Sequence, residues 1–284
     1  MKTKSIMASV LTALIVLSVT SAAMLIPMSE KGRENTKAPE RSPVIEKTGE
    51  HLVLTPPGLE KKIFIHYARP PCNNNGICEP DLGEKPSCAD CKGKEEPSST
   101  CYDFLGKGVK WKRLPVNYVI DPDNPYSLTE EFVTSALSTA AEEWDTYTAQ
   151  EIFESYSIDR NATWDSDAPD GRNEMVFGEY PEEGVIAVTV VWGYFSGPPR
   201  RREITEFDIL FNTNFPWGDA TTNPSVMDLQ NIATHEIGHG LGLADLYDSA
   251  CTEETMYGYS DYGETKKRDL NTGDVAGIQK LYEA

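Results

Sequence analysis

The sequence predicts an α+β (α/β-type) enzyme domain that runs from residue 101 to residue 284. Two observations predict it. From residue 101 onward, short strand-like runs are interspersed with three amphipathic helical segments. Before residue 101, polar and proline-rich segments surround a small cluster of cysteines, and such segments bury too little apolar surface to form a core. We therefore expect one full-sized catalytic domain preceded by a small disulfide-rich motif.

Alternating apolar residues predict five strands in this domain, at 115–120, 152–158, 174–177, 185–191 and 204–211. Ser127, with Glu130 three positions later, predicts a capped helix that ends near Ala149. Asn223-Pro224 predicts the start of a second helix that continues to Leu241. A third helix is expected at the C-terminus, where one face is apolar: Val275, Ile278 and Leu281.

Residues 1–28 have the composition of an export signal. Lys2 and Lys4 precede an uncharged run whose most apolar part is Ile6–Leu17. The uncharged run approaches the ~20 residues that span a bilayer, so the segment is either a cleaved signal peptide or a signal anchor. In both cases we expect the rest of the chain to be secreted or to lie on the extracellular face of the cell membrane. Membrane contact is expected only through this anchor.

Residues 29–70 are rich in charge and proline, and Ile63–Tyr67 is their one short apolar piece, so we expect a polar linker or a propeptide. Residues 71–92 form a small motif in which we expect disulfides among Cys72, Cys78, Cys88 and Cys91. A zinc–thiolate site at Cys88 and Cys91 is the alternative, but exported chains form disulfides more often. Residues 93–100 are a linker by composition.

The formal net charge is -19, and most of the acidic residues lie in 101–284. A strongly acidic domain repels phosphate backbones, which argues against nucleic-acid binding. The acidic loop Asp165–Asp170 is either a calcium site or a solvated surface loop, so Ca²⁺ is a second candidate ion. Nothing in the composition indicates an oligomeric state.

The residues that indicate chemistry are His235-Glu-Ile-Gly-His239, followed by Gly242 and Asp245. Two histidines four residues apart lie on one face of a helix, so both can bind a single Zn²⁺. Glu236 then lies beside the open coordination position, where its carboxylate can take a proton from metal-activated water. Gly242 can adopt the left-handed conformation that ends a helix, after which the chain can bring Asp245 toward the metal.

The third zinc ligand must be a carboxylate or a tyrosine, because the remaining histidines, His51 and His66, precede the domain. Asp245 is the leading candidate. Its rivals are Asp248, Glu253 and Glu254.

This pattern resembles the matrixin branch of the metzincin metallopeptidases over about Val109–Tyr282. Asp245 stands where metzincins place their third ligand, normally a histidine, and an aspartate there resembles snapalysin. Thr255-Met256-Tyr257 is similar to the Met-turn, which implies that Met256 forms an apolar floor under the zinc. The stretch 270–282 is similar to the last matrixin helix, in which an aspartate matching Asp274 bonds the Met-turn backbone. The resemblance implies a twisted five-stranded mixed sheet with three main helices.

Gly184–Thr189 is similar to the matrixin edge strand above the cleft, which implies that Ile186 and Ala187 pair with an extended polypeptide substrate. Val188 stands where matrixins have a histidine of a second, structural zinc, so the resemblance implies one catalytic zinc. The cysteine motif of matrixin propeptides is missing. Cys101 and Cys251 bracket the domain, and we expect them to form a disulfide.

The sequence thus predicts a secreted or cell-surface zinc endopeptidase in which Glu236 is the general base. Two alternatives stay open. A non-catalytic zinc-binding surface module has no need of Glu236, which argues against it. An immune-inhibitor-like, gluzincin-type peptidase also has an acidic third ligand, but Met256 and the 270–282 helix favour the matrixin side.

Overall fold

The computed structural model describes residues 56–68 and 100–283. In these ranges the strands are β1 Glu60–Ala68, β2 Val119–Ile120, β3 Ser157–Ile158, β4 Glu174–Gly178, β5 Val185–Tyr194, β6 Glu203–Asn212, β7 Trp217–Gly218, β8 Met227–Asp228 and β9 Tyr259–Ser260. The α-helices are α1 Glu130–Asp145, α2 Leu229–Gly240 and α3 Thr272–Tyr282. The expected export signal, the cysteine motif with Cys72, Cys78, Cys88 and Cys91, and nearly all of the 93–100 linker lie outside the described residues. None of the helices in the described ranges is long and apolar enough to cross a membrane.

The main sheet is mixed and has seven strands in the order β3-β2-β4-β6-β5-β1-β9. Strands β3, β2, β4 and β6 are parallel neighbours, and β5 runs antiparallel to β6. The expected α+β class is confirmed, and each of the five expected strand regions contributes a strand. Two further strands, β1 and β9, extend the sheet beyond β5, where the sequence predicts none.

The core lies between this sheet and the two central helices. Helix α1 packs against α2, and α2 packs on β5 and β6. The apolar face of α1 is buried through Val133, Leu137 and Trp144, as the helical spacing requires. Helix α2 is buried almost all round, which excludes water from the site that it carries.

The predicted start and end of α1 are both wrong. The N-cap is Thr129, whose hydroxyl accepts from Phe132 N at 3.1 Å, whereas Ser127 has φ 57° and lies before the helix. The helix ends at Asp145 rather than near Ala149. The Asp145 carboxylate accepts from the Ile152 and Phe153 amides at 2.7 and 3.2 Å, which stabilises the turn out of the helix.

Helix α2 begins at Leu229, not at Asn223-Pro224. Asp228 caps it by accepting from Asn231 N at 2.9 Å. The Asn223 side chain instead accepts from Ser225 N at 3.1 Å and forms a turn ahead of β8. Asn223-Pro224 and Asp228-Leu229 both satisfy the local rules for a helix start. The helix begins at the second of these dipeptides and from there runs through the core.

The segment 29–70 departs most from expectation, because its last residues form β1. Strand β1 pairs antiparallel with β5 from Glu60 to Tyr67. Ile63–Tyr67 is too short to form a core by itself, but it adds to the edge of a sheet that is formed more than a hundred residues later in the chain. A partner at that sequence distance leaves no trace in local composition.

Cys101 and Cys251 form the expected disulfide, with their Cα atoms 5.3 Å apart. The bond joins the start of the domain to the segment between Asp245 and Met256.

Loss of this disulfide is expected to destabilise the protein, because the bond closes a loop of 150 residues and so restricts the unfolded chain. The Cys101→Ala/Cys251→Ala variant should lose about 2–5 kcal/mol in urea unfolding. Wild type treated with a mild reductant serves as the control and should approach the variant. Equal unfolding midpoints for variant and oxidised wild type would show that the pair does not stabilise the fold.

Candidate metal centre and cleft

Two buried histidines on α2 face the same point. His235 Nδ1 lies 2.7 Å from the Thr255 carbonyl oxygen, and His239 Nδ1 lies 3.0 Å from that of Leu243. A carbonyl oxygen only accepts hydrogen bonds, so each ring carries its hydrogen on Nδ1. Each Nε2 therefore presents a lone pair, and the two Nε2 atoms are 3.1 Å apart.

Asp245 completes the cluster. Gly242, with φ 106°, turns the chain at the end of α2 and allows it to return toward the histidines. Asp245 Oδ1 then lies 3.2 Å from His235 Nε2 and 3.4 Å from His239 Nε2. This oxygen is buried and has no hydrogen-bond donor.

Three acceptor atoms that face one another without a hydrogen between them repel, and a cation relieves that repulsion. Four-coordinate zinc with bonds of ~2.0–2.1 Å holds neighbouring ligand atoms about 3.3–3.4 Å apart, close to the separations found here. Burial by itself raises the pKa of Asp245, but positive charge on His239 and His235 outweighs it and holds that pKa well below its usual range, and a bound cation would act in the same way. The ionised carboxylate is the form that binds metal, so these residues fit zinc.

The three other carboxylates considered as the third zinc ligand have partners elsewhere in the fold. Asp248 accepts from Ala250 N at 2.9 Å, and Glu253 pairs with Lys266 at 3.1 Å. Glu254 accepts from Gly273 N at 2.9 Å at the start of α3.

Glu236 lies beside the cluster and is fully buried. Its Oε2 accepts from Thr189 Oγ1 at 2.5 Å, and its Oε1 lies 3.0 Å from His66 Nδ1. Burial raises the pKa of Glu236 to about 7, although the nearby His239 opposes the shift. A carboxylate with a pKa near neutrality is suited to accept and return a proton.

Met256 packs directly beneath the helix that carries the ligands. A Cβ at Gly238 would lie 2.3 Å from Met256 Sδ and 2.8 Å from Trp144 Cζ2, so glycine is needed between the two histidines. Asp274 accepts from Thr255 N at 2.6 Å and from Met256 N at 3.1 Å. Helix α3 thus holds the turn whose Thr255 carbonyl fixes the His235 ring.

The edge of β5 above the cluster is occupied by β1. Ala187 is opposite His66, Val185 is opposite Tyr67, and Ile186 lies at the irregularity between them. On its other side β1 runs parallel to β9, with Tyr67 opposite Tyr259. The strand expected to receive an extended polypeptide therefore already pairs with one from the same chain.

Side chains of β1 pack on the rings of the two histidines. Phe64 stacks on the His239 ring with centroids 4.0 Å apart, and the His66 ring lies 4.0 Å from that of His235. Sequence reasoning missed Phe64, His66, Thr189 and Lys267, which all lie at the site. The one available signal was His66 itself, a rare residue type at alternate spacing with Phe64 in an otherwise polar segment.

A second group of acids lies in the loop before β4 and at the first residue of that strand. Asp165, Asp170 and Glu174 each offer an oxygen within 4.8 Å of the others. Asp208 Oδ2 is buried without a hydrogen-bond partner, and burial raises the Asp208 pKa to about 9. Arg172 pairs with Glu174 at 2.9 Å and offsets part of this charge.

The mixed sheet, the histidine pair with an acid beside it and the methionine beneath define a metzincin type of zinc metallopeptidase centre. Residues 110–283 match the family model of the matrixins, and the chain belongs to that family. It is 31% identical over 189 residues to Metalloendoproteinase 2-MMP of Arabidopsis thaliana, covering 64% of this chain and 45% of that protein.

Two animal proteins are also similar. Matrix metalloproteinase-16 of Homo sapiens is 27% identical over 176 residues, which cover 62% of this chain and 28% of that protein. Stromelysin-1 of Rattus norvegicus is 25% identical over 203 residues, which cover 71% of this chain and 38% of that protein. The chain thus spans less than half the length of each of these relatives.

Purified protein is expected to contain about one equivalent of tightly bound zinc, held by His235, His239 and Asp245. Asp245→Ala should lower zinc affinity by ten-fold or more, because it removes one of three protein ligands. Asp248→Ala is the matched control and should bind zinc like wild type. Competition with a chromophoric chelator measures both. Unchanged affinity in Asp245→Ala would assign the third ligand elsewhere.

Proposed function

We propose that the protein is a secreted or cell-surface zinc-dependent endopeptidase that hydrolyses peptide bonds in extended polypeptides. The observation that carries the proposal is the set of three facing acceptor atoms beside Glu236, in a cleft that accommodates an extended strand. His235, His239 and Asp245 would hold the zinc. Membership of the matrixin family supports the same reaction.

Zinc held by these residues would supply a Lewis acid that polarises the substrate carbonyl and makes water more acidic. Glu236 takes the proton of the attacking water and gives it to the leaving amine. Thr189 binds Oε2 of Glu236 and so leaves Oε1 as the oxygen that exchanges protons.

The substrate is expected to follow the path of β1. Strand β5 offers backbone groups on one side of this path and β9 on the other. Backbone pairing binds any extended polypeptide and leaves selectivity to the side-chain pockets. On this path Ala187 is opposite His66, and Ile186 lies beside it at the irregularity of β5.

We infer that the N-terminal segment keeps the enzyme inactive until it leaves the cleft, so residues 29–70 act as a propeptide. Two contacts support this. Phe64 covers the His239 ring, and His66 occupies the Glu236 oxygen that must be free for proton transfer. The matrixin propeptide cysteine is missing, and a strand paired on both sides replaces it here. Residues 71–92 and 93–100 then connect the propeptide to the catalytic domain 101–284.

Two further features support a location outside the cytoplasm. Residues 1–28 are proposed to direct the chain across a membrane, as a cleaved signal or as an anchor. The Cys101–Cys251 disulfide fits an oxidising compartment outside the cytoplasm.

The two alternatives have less support. A zinc-binding module without activity leaves unexplained why Glu236 keeps a hydroxyl partner and a pKa near neutrality. A gluzincin-type peptidase does not account for a matrixin match over residues 110–283.

Calcium is proposed as a second ion, held by Asp165, Asp170 and Glu174. Their oxygens lie close together, and Oδ2 of the buried Asp208 carboxyl beside them has no hydrogen-bond partner.

Calcium should therefore raise the melting temperature of the zinc-loaded protein by several degrees. Asp165→Asn/Asp170→Asn should abolish most of that rise, since it removes two charged ligands. The matched control is Asp248→Asn, because Asp248 is an acidic residue that does not belong to this group. An equal calcium effect in all three proteins would place any calcium elsewhere.

Proteolysis should appear only after β1 is released. A site for a specific protease can be inserted within residues 93–100, and the folded full chain then cut and the N-terminal fragment removed by gel filtration. The uncut protein should be inactive and the cut protein active. Activity before the cut would show that β1 does not block the cleft.

In the cut protein Glu236→Gln should lower activity by ~10²–10⁴-fold while zinc content stays the same, because it removes the base and no ligand. Glu253→Gln is the matched control, since that carboxylate is exposed and paired with Lys266. Activity above about 1% in Glu236→Gln would assign the base to another residue.

A further inference from the structure

A cluster of basic side chains lies on two neighbouring segments, 107–113 and 200–202, and we call it the basic patch. Hydrogen bonds join the two segments. Arg202 Nη1 donates to the Lys107 carbonyl at 2.7 Å, and Lys112 Nζ donates to the Arg200 carbonyl at 2.5 Å. The patch holds more than half of the Lys and Arg residues of 101–284. Its members are Lys107, Lys110, Lys112, Arg113, Arg200, Arg201 and Arg202.

No carboxylate pairs with these cations. Outside the patch, Arg160, Arg172, Lys266 and Arg268 each form an ion pair with at least one Asp or Glu. Among the residues that the structure describes, no member of the patch does so. Clustered like charges repel one another, and the field that they create attracts anions. In a chain with a net charge of -19, this positive surface indicates an anionic partner.

The patch lies at one end of the cleft, beside the start of β1. Residues 200–202 belong to the connection between β5 and β6. In the same connection Ser196 Oγ donates to Glu60, the first residue of β1, at 2.5 Å. Phe64, which stacks on His239, lies roughly 13 Å farther along the strand. A substrate on the path of β1 and in its direction therefore reaches the patch with residues that come well before the cleaved bond.

Strand β1 leaves the patch open. Glu60 binds Ser196 rather than a cation, and Lys61 Nζ donates to the Ser166 carbonyl at 2.7 Å. Three members of the patch are exposed, and their side chains make no hydrogen bond within the described ranges: Arg113, Arg200 and Arg201. The uncut chain can therefore bind a partner at the patch while β1 occupies the cleft.

We propose that the basic patch binds an acidic stretch of the polypeptide substrate, about five to nine residues before the cleaved bond. This inference rests on the proposed function and adds the class of its substrates. The patch draws acidic segments toward the cleft and holds them by charge. These contacts are remote from the bond that breaks, so they are equally strong before and during the reaction. They should therefore lower KM and leave kcat unchanged.

Binding is tested on the folded, uncut chain with a fluorescent peptide of eight glutamates, followed by fluorescence anisotropy at low salt. Arg200→Gln/Arg201→Gln should raise the Kd by about five- to ten-fold, because it removes two exposed cations of the patch. The matched control is Arg160→Gln/Lys266→Gln, which changes the net charge equally at two cations that are paired with acids. It should bind the peptide like wild type.

Cleavage is tested after the cut that releases β1. Two peptides share the residues around the cleaved bond and carry either four Glu or four Ser at the fifth to eighth positions before it. Wild type should have a KM about ten-fold lower for the Glu peptide, with equal kcat. High salt or Arg200→Gln/Arg201→Gln should remove most of that difference. A third peptide, with the four Glu at the same distance after the bond, should behave like the Ser peptide.

The outcomes separate this inference from the function on which it rests. Equal binding of the eight-glutamate peptide by wild type and the patch variant would overturn the inference. So would equal KM values for the Glu and Ser peptides, or a preference for Glu after the bond. A sulfated polysaccharide that binds the patch while the glutamate peptide does not would assign the patch to another anion. Cut wild type that cleaves no peptide, and no unrelated polypeptide either, would instead contradict the proposed function.

Discussion

Two backbone carbonyl groups, those of Thr255 and Leu243, decide what the site can bind. Each accepts the Nδ1 hydrogen of one histidine and so turns the Nε2 lone pairs toward each other and toward Asp245. The carbonyls are themselves held in place. Asp274 binds the amides of the turn that contains Thr255, and the Gly242 turn presents Leu243. The orientation of α3 and one glycine thus determine whether two histidines form a metal site or an ordinary buried pair.

The cleft likewise depends on one structural feature, the edge of β5. Strand β5 has one edge on β6 and therefore one edge free for another strand. A free edge over a reactive centre binds extended chain without regard to sequence, which suits a peptidase but leaves it open to its own polypeptide. Strand β1 pairs with that edge, and its side chains Phe64 and His66 pack against His239, His235 and Glu236. As the proposed inhibitor, β1 would also mark the path of the substrate, because both compete for the same backbone groups.

The two carboxylates of the site, Asp245 and Glu236, differ in the direction of their pKa shifts. Positive charge on the two histidines lowers the Asp245 pKa, whereas burial pushes the Glu236 pKa upward toward neutrality. Two carboxylates a few residues apart are thereby suited to different tasks, one to bind a cation and one to carry a proton. Lys267 adds a buried positive charge on the far side of Glu236, next to the space that His66 fills.

The sequence by itself determined the α+β class, the five strand regions of the mixed sheet, the end of α2 before Gly242 and the candidate residues of the metal site. These follow from local rules: side-chain periodicity, the i and i+4 spacing of His235 and His239, and a glycine that permits a turn. Helix starts were less certain, because Ser127 and Asn223 satisfy the same capping rules as Thr129 and Asp228. Only the tertiary structure decided that β1 lies in the cleft and that His66, Thr189 and Lys267 surround Glu236. Those contacts join residues from 47 to 201 positions apart, and at such separations pairing depends on which edges and pockets the folded domain leaves open.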